Sequence, residues 1–156
     1  MGKSKSATIK SKKTRTRTRK MRHNRSEKNI KSENKSHVVK IFFEMLTTVK
    51  LYHWKTKSYA QHKATDELYG RLNDNIDKFV EVWLGKDESR IKMIEKKLNL
   101  LEYTNVTDFK EKMYKYRDFL TDMNKHFNEK KDSDLLSIRD DILVDVNQFL
   151  YLMTFH

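Results

Sequence analysis

Residues 58–84 read SYAQHKATDELYGRLNDNIDKFVEVWL. Leu68, Leu72, Ile76, Phe79 and Trp83 recur at three- and four-residue spacing, the signature of an amphipathic helix. At 100° per residue they fill a sector of about 80°. Ser58 and Gln61 form a Ser-x-x-Gln capping box at the start, and Gly85 is the expected stop. A second stripe runs along the same helix. Taking His62 as zero, Asp66 lies at about 40°, Asp77 at about 60° and Glu81 at about 100°. This stripe centres roughly 130° from the apolar one, so it points away from the helix's own core, toward solvent or a partner. At 1.5 Å per residue, His62/Asp66 and Asp77/Glu81 lie about 16 Å apart along the axis. One ion cannot touch both pairs on one helix. Two copies lying antiparallel would bring the histidine end of one to the carboxylate end of the other. The stripe therefore predicts a metal site and a two-fold dimer together. Gly70, at about 80°, sits near the midpoint where the axis would fall. A glycine there costs about 1 kcal/mol of helix propensity but lets two backbones approach closely; a tolerated surface glycine is the open alternative.

The helical period extends through most of the chain beyond residue 37. Residues 37–54 place Val38, Ile41, Phe42, Met45, Leu46, Val49 and Tyr52 on one face. A third helix is expected over about 107–130, on Phe109, Met113, Tyr116, Leu120, Met123 and Phe127. A fourth is expected over about 133–155, starting at Asp132 or Ser133 and carrying Leu135, Ile138, Ile142, Phe149 and Met153. Residues 89–98 read as a short connecting helix. Four amphipathic helices with no period-2 strand predict an all-α fold, an antiparallel four-helix bundle.

The charge is unevenly placed. Residues 1–36 hold 14 Lys/Arg against Glu27 and Glu33, a net +12, whereas residues 37–156 hold 20 Lys/Arg and 20 Asp/Glu and are neutral. The first 36 residues have only Met1, Ala7, Ile9, Met21 and Ile30 as apolar side chains, too few to offset ordering entropy, and they read as a disordered basic arm. Lys10, Lys12, Lys13, Arg15, Arg17, Arg19, Lys20, Arg22 and Arg25 form its densest part. Such an arm neutralises phosphates and gains affinity by counterion release, without reading sequence; having no aromatic residue, it offers no base stacking. The expected partner is nucleic acid, with DNA or RNA left open. A nuclear import signal is the competing reading of the same clusters.

Composition narrows the rest. With no cysteine there is no disulfide, zinc–thiolate site or cysteine nucleophile. No apolar run reaches the ~18 residues of a membrane span, and no apolar segment follows the basic start as a signal peptide requires. An intracellular or particle-packaged protein is expected, in a nucleoid, nucleus or virus particle.

The stretch HWKTKSYAQHKATDELYGRLNDNIDKFVE, residues 53–81, resembles the ferroxidase region of Dps proteins, the miniature ferritins. In that family a His-Trp closes the first helix, a second His and an Asp follow at i, i+4, and an Asp/Glu pair follows further on. His53-Trp54, His62, Asp66, Asp77 and Glu81 hold those places, with Tyr69 also matching. The last helix looks similar as well. The link from His53 to His62 is shorter than the family's and lacks its glycine–aromatic loop, and the stretch from Glu81 to the third helix is also shorter. The resemblance implies a ferritin-like bundle and a twelve-subunit shell. It also implies an intersubunit di-iron site that oxidises Fe(II) with peroxide or oxygen, built from His53, His62 and Asp66 of one copy with Asp77 and Glu81 of another. The same run also looks like small uncharacterised proteins of large nucleocytoplasmic DNA viruses. Imidazole with carboxylate suits iron, and equally Mn or Zn. Trp54 reads as helix-end packing, and His37, His126 and His156 as surface or core residues. The alternative function is a non-enzymatic nucleic-acid-packaging protein that kept the bundle and the arm but lost iron chemistry. A helical adaptor with an import signal is the third reading.

Overall fold

The structure, a computed structural model, describes residues 34–155. Among these residues every regular element is helical: α1 (34–55), α2 (Tyr59–Asp87), α3 (Val106–Asp122), a 3₁₀ turn (Met123–Lys125) and α4 (Ser133–Leu152). The expected four-helix bundle is therefore present. Helix α1 already includes 34–36, with Lys35 and Ser36 buried, so the bundle begins before His37.

Contacts fix the helix directions. Lys35 meets Asp87, and Phe42 meets Phe79 edge-on at 5.4 Å, so α1 and α2 are antiparallel. Tyr52 stacks on Phe109 at 3.8 Å while Thr48 bonds Tyr116, which sets α1 antiparallel to α3. Asn75 donates to Asp145, and Lys86 to Asp134, which sets α2 antiparallel to α4. Helices α2 and α3 consequently run parallel, and one long segment, 88–105, carries the chain from one pole to the other. The short connecting helix expected over 89–98 does not form. Lys40 pairs with Glu95 and Lys55 with Glu102. Those two lysines are about 22 Å apart along α1, which seven residues span only when nearly extended.

Helix ends differ from expectation where tertiary contacts act. Gly85 does not stop α2, which continues to Asp87. The buried Lys35 ammonium bonds both Asp87 oxygens and the Ser89 hydroxyl, holding the last turn in place. The chain instead leaves the helix at Glu88, whose φ of 50° is left-handed and strained for a residue with a Cβ. Helix α3 stops at Asp122 rather than near 130, passing into the 3₁₀ turn. Phe127 still packs at the pole, 5.1 Å from Trp83 and 5.9 Å from Phe79, so the apolar period survives where the helix does not. Helix α4 ends at Leu152, short of the expected 155.

The core contains Leu68, Leu72, Ile76 and Phe79 of α2, Phe42, Met45 and Val49 of α1, Phe109, Met113 and Leu120 of α3, and Leu135, Ile142, Val146 and Phe149 of α4. No helix among the described residues is long and apolar enough to cross a membrane.

Candidate metal centre

The corner between α1 and α2 is built by hydrogen bonds the sequence foreshadows only in part. Ser58 caps α2 by accepting the Gln61 N–H at 3.4 Å. The Gln61 side chain does not complete the box. Its Oε1 accepts from the Tyr52 hydroxyl and the Thr56 hydroxyl, both at 2.8 Å, and the Ser58 N–H goes to Thr56 Oγ1. Gln61 thus ties the end of α1 to the start of α2.

This corner brings His53 and His62 together. Their rings stack with centroids 3.8 Å apart and planes 24° from parallel. Each ring bonds the other residue's backbone: His53 Nδ1 to the His62 carbonyl at 3.0 Å, and His62 Nδ1 to the His53 carbonyl at 3.0 Å. A carbonyl only accepts, so both Nδ1 atoms carry the proton, and in the neutral rings both Nε2 atoms keep a lone pair. The Thr65 hydroxyl, fully buried, lies 3.3 Å from His53 Nδ1 and donates to the Gln61 and His62 carbonyls, fixing the pair from below. His53 is buried and His62 half-buried. Asp66, one turn further along α2, puts Oδ1 3.9 Å from His53 Nε2. Ligand bonds near 2.1 Å to nitrogen and oxygen let one ion bridge a gap of that width.

Lys50 was not foreseen. Its Nζ lies 3.9 Å from Asp66 Oδ1, 4.6 Å from the Tyr69 ring centroid and 5.8 Å from that of Trp54. The available signal was its position on α1, three residues before His53 and four before Trp54, on the face that meets α2. Trp54 is not packed at a helix end: it is 68% exposed, and Tyr59, on the outward stripe, is 78% exposed.

Asp77 and Glu81 are exposed and pair with no described residue. They stand on the outward face of α2, well away from the histidine pair, so within one copy His53 meets His62 and, separately, Asp66, and nothing more of the stripe. Among the described residues no set of three such side chains is close enough to hold an ion within one chain. Gly70 is open: a Cβ there would meet nothing within 4 Å. His37 and His126 are exposed, and both border a cleft at the far pole. His156 and the arm residues Lys10, Lys12, Lys13, Arg15, Arg17, Arg19, Lys20, Arg22 and Arg25 lie outside the described residues.

Titration is perturbed elsewhere. Burial pulls the Asp87 carboxyl up, but hydrogen bonds from Lys35 and Ser89 outweigh it and hold it below the usual carboxylate range. The Lys86 ammonium lowers Asp134 and is itself raised. Burial raises the Tyr116 phenol, which sits between Thr48 and Glu44.

The pattern described as "Family of unknown function (DUF5856)" matches residues 53–153, which is 101 of the 156 residues, from His53 through the last turn of the bundle. The chain belongs to this family. A 33-residue stretch is also 58% identical to the "Uncharacterized 14.6 kDa protein in mobD-ri intergenic region" of Enterobacteria phage T4, over 21% of this chain and 26% of that protein. The similarity thus spans about a quarter of the phage protein's length. No solved structure matches the chain. Neither match is to a Dps or other ferritin-like protein.

Proposed function

We propose that two copies of this DUF5856 chain pair antiparallel along α2 and bind Fe(II) as substrate between them, while the basic arm holds nucleic acid. His53, His62 and Asp66 of one copy, with Asp77 and Glu81 of the other, supply the ligands. The observation that carries this reading is the reciprocal Nδ1-to-carbonyl bonding of the two histidines. Donation of one ring N–H to a backbone carbonyl is how metal-binding histidines are oriented, with the other nitrogen presented to the ion. The single long crossover between parallel α2 and α3 supports it further, being the connection of ferritin-like bundles. Exposed Trp54 and Tyr59 beside the histidine pair supply apolar surface for a second copy to cover.

Two imidazoles and three carboxylates stabilise the ferric product better than the ferrous substrate, which favours oxidation. With peroxide as oxidant, each of two Fe(II) ions gives one electron, the O–O bond breaks, and two hydroxides form. The chain's part is to hold both ions within reach of one oxidant molecule. Anaerobic titration with Fe(II), followed by peroxide, tests this. The expected result is a ferric absorbance saturating at a fixed ratio of iron to dimer; absorbance that does not depend on protein would refute it.

Lys50 favours a second reading. Its ammonium already faces Asp66 and two aromatic rings, so a cation is present where iron would bind. In that reading the pair is structural, and the protein packages nucleic acid without redox chemistry.

A further inference from the structure

The pole where α1 begins and α2 ends carries a cleft of about 750 Å³, well within the size range of binding pockets. Its apolar lining is Val38, Trp83, Phe119, Met123 and Phe127, set among polar and charged residues that include His37, Lys115, Asp118 and His126. Most charges at its rim are already neutralised. Lys35 pairs with Asp87, Lys86 with Asp132 and Asp134, and Lys125 with Asp122. Such a hollow suits an aromatic group, because its apolar rings gain from being covered while most of the charges beside them already hold partners.

The opposite pole presents such a group. Residues 146–155, VNQFLYLMTF, carry no charge in a chain of which 36% is charged. Tyr151 and Phe155 stand 62% and 61% exposed, edge to face at 5.1 Å, with Leu152 partly exposed beside them. We propose that the Tyr151–Phe155 knob of one copy seats in the Trp83/Phe119/Phe127 cleft of the next, joining copies pole to pole. Knob and hole lie at opposite ends of one bundle, so the contact is heterologous: it closes into a ring or propagates as a chain of copies. Two seated aromatics bury about 150–250 Å² each, short of the roughly 800 Å² per partner of a standard interface. One such contact is weak and depends on concentration; several in series, or combined with a second interface, hold by avidity. Neither feature uses the outward stripe of α2, so this contact stands apart from the two-fold pairing proposed above.

Sedimentation velocity of the full chain over a concentration series tests it with two variants at exposed positions, Tyr151→Asp/Phe155→Asp to remove the knob and Asp118→Trp to fill the cleft from its rim. Circular dichroism should be unchanged in both. Each variant alone should lose assembly beyond any two-fold dimer, with association weakened at least about tenfold, as expected for buried aromatic anchors. Mixing the two should restore a heavier species, since intact clefts then meet intact knobs. A mass distribution unaffected by either variant, or no recovery on mixing, overturns the inference. So does altered duplex affinity on filling the cleft with mass unchanged, which would give the cleft to the basic arm. Failure of the α2 pairing would instead remove the dimer and leave the knob and cleft effects in place.

Discussion

Replacing Asp77 and Glu81 together by alanine separates the metal site from the fold. Both side chains are exposed on the outward face of α2 and pair with no described residue, so no buried partner is orphaned. Alanine is the better helix former by up to about 0.7 kcal/mol per position. The monomer should therefore be unchanged or more stable by up to about 1 kcal/mol, close to the ±0.5 kcal/mol band of ordinary surface substitutions. Metal binding should respond very differently. Losing an outer-shell partner alone weakens metal sites by about 10–100-fold, so losing two direct carboxylates should exceed 100-fold. Thermal unfolding by circular dichroism and stopped-flow Fe(II) oxidation would be read on the same preparations. Undiminished oxidation in the folded variant would refute the assignment of these carboxylates.

Deleting residues 1–33 should abolish most nucleic-acid binding, because residues 34–156 carry a formal net charge of only +1; in gel shifts the intact chain should lose affinity with a log–log salt slope of about −0.9 per phosphate contacted. The Asp87 carboxyl is held below its ordinary 3.8 by Lys35 and Ser89, so the stability this adds is complete above that value and lost as pH falls through the lower folded value. Urea melts should accordingly show Lys35→Met less stable than the parent at pH 7, with the gap narrowing below about pH 4. Gly70→Ala should raise monomer stability by about 0.5–1 kcal/mol, since its Cβ meets nothing, whereas Gly70→Trp should dissociate the dimer, as seen by light scattering at fixed concentration.

Much of the bundle was legible because apolar spacing is a local property. Leu68, Leu72, Ile76 and Phe79 fall on the buried face that their period dictates, and Phe109, Met113, Tyr116 and Leu120 do the same in α3. Elements governed by distant contacts were not legible. Residues 89–98 contain Ile91, Met93, Ile94 and Leu98 without a breaker, and ties to Ser36, Lys40 and Lys55 draw the segment out along α1. Gly85 has the composition of a stop, but Lys35, some fifty residues away in sequence, holds the next turn helical. In the site, the outward direction of Asp66, Asp77 and Glu81 could be read from the helix wheel, whereas His62 on the same stripe turns in against α1. The stacking of His53 on His62 could not, since it depends on the tight corner at Gln61. The placement of Lys50 against Asp66 likewise follows from how α1 packs on α2.

The central claim is that ligands from two copies complete one site, and subunit complementation tests it most directly. Chains carrying His62→Ala/Asp66→Ala and chains carrying Asp77→Ala/Glu81→Ala should each fail to oxidise Fe(II). After co-refolding, each mixed dimer holds one site with every ligand intact and one lacking both halves. Oxidation should then return to about half the wild-type rate per mixed dimer. No recovery in a sample shown by mass to contain mixed dimers would contradict the shared site.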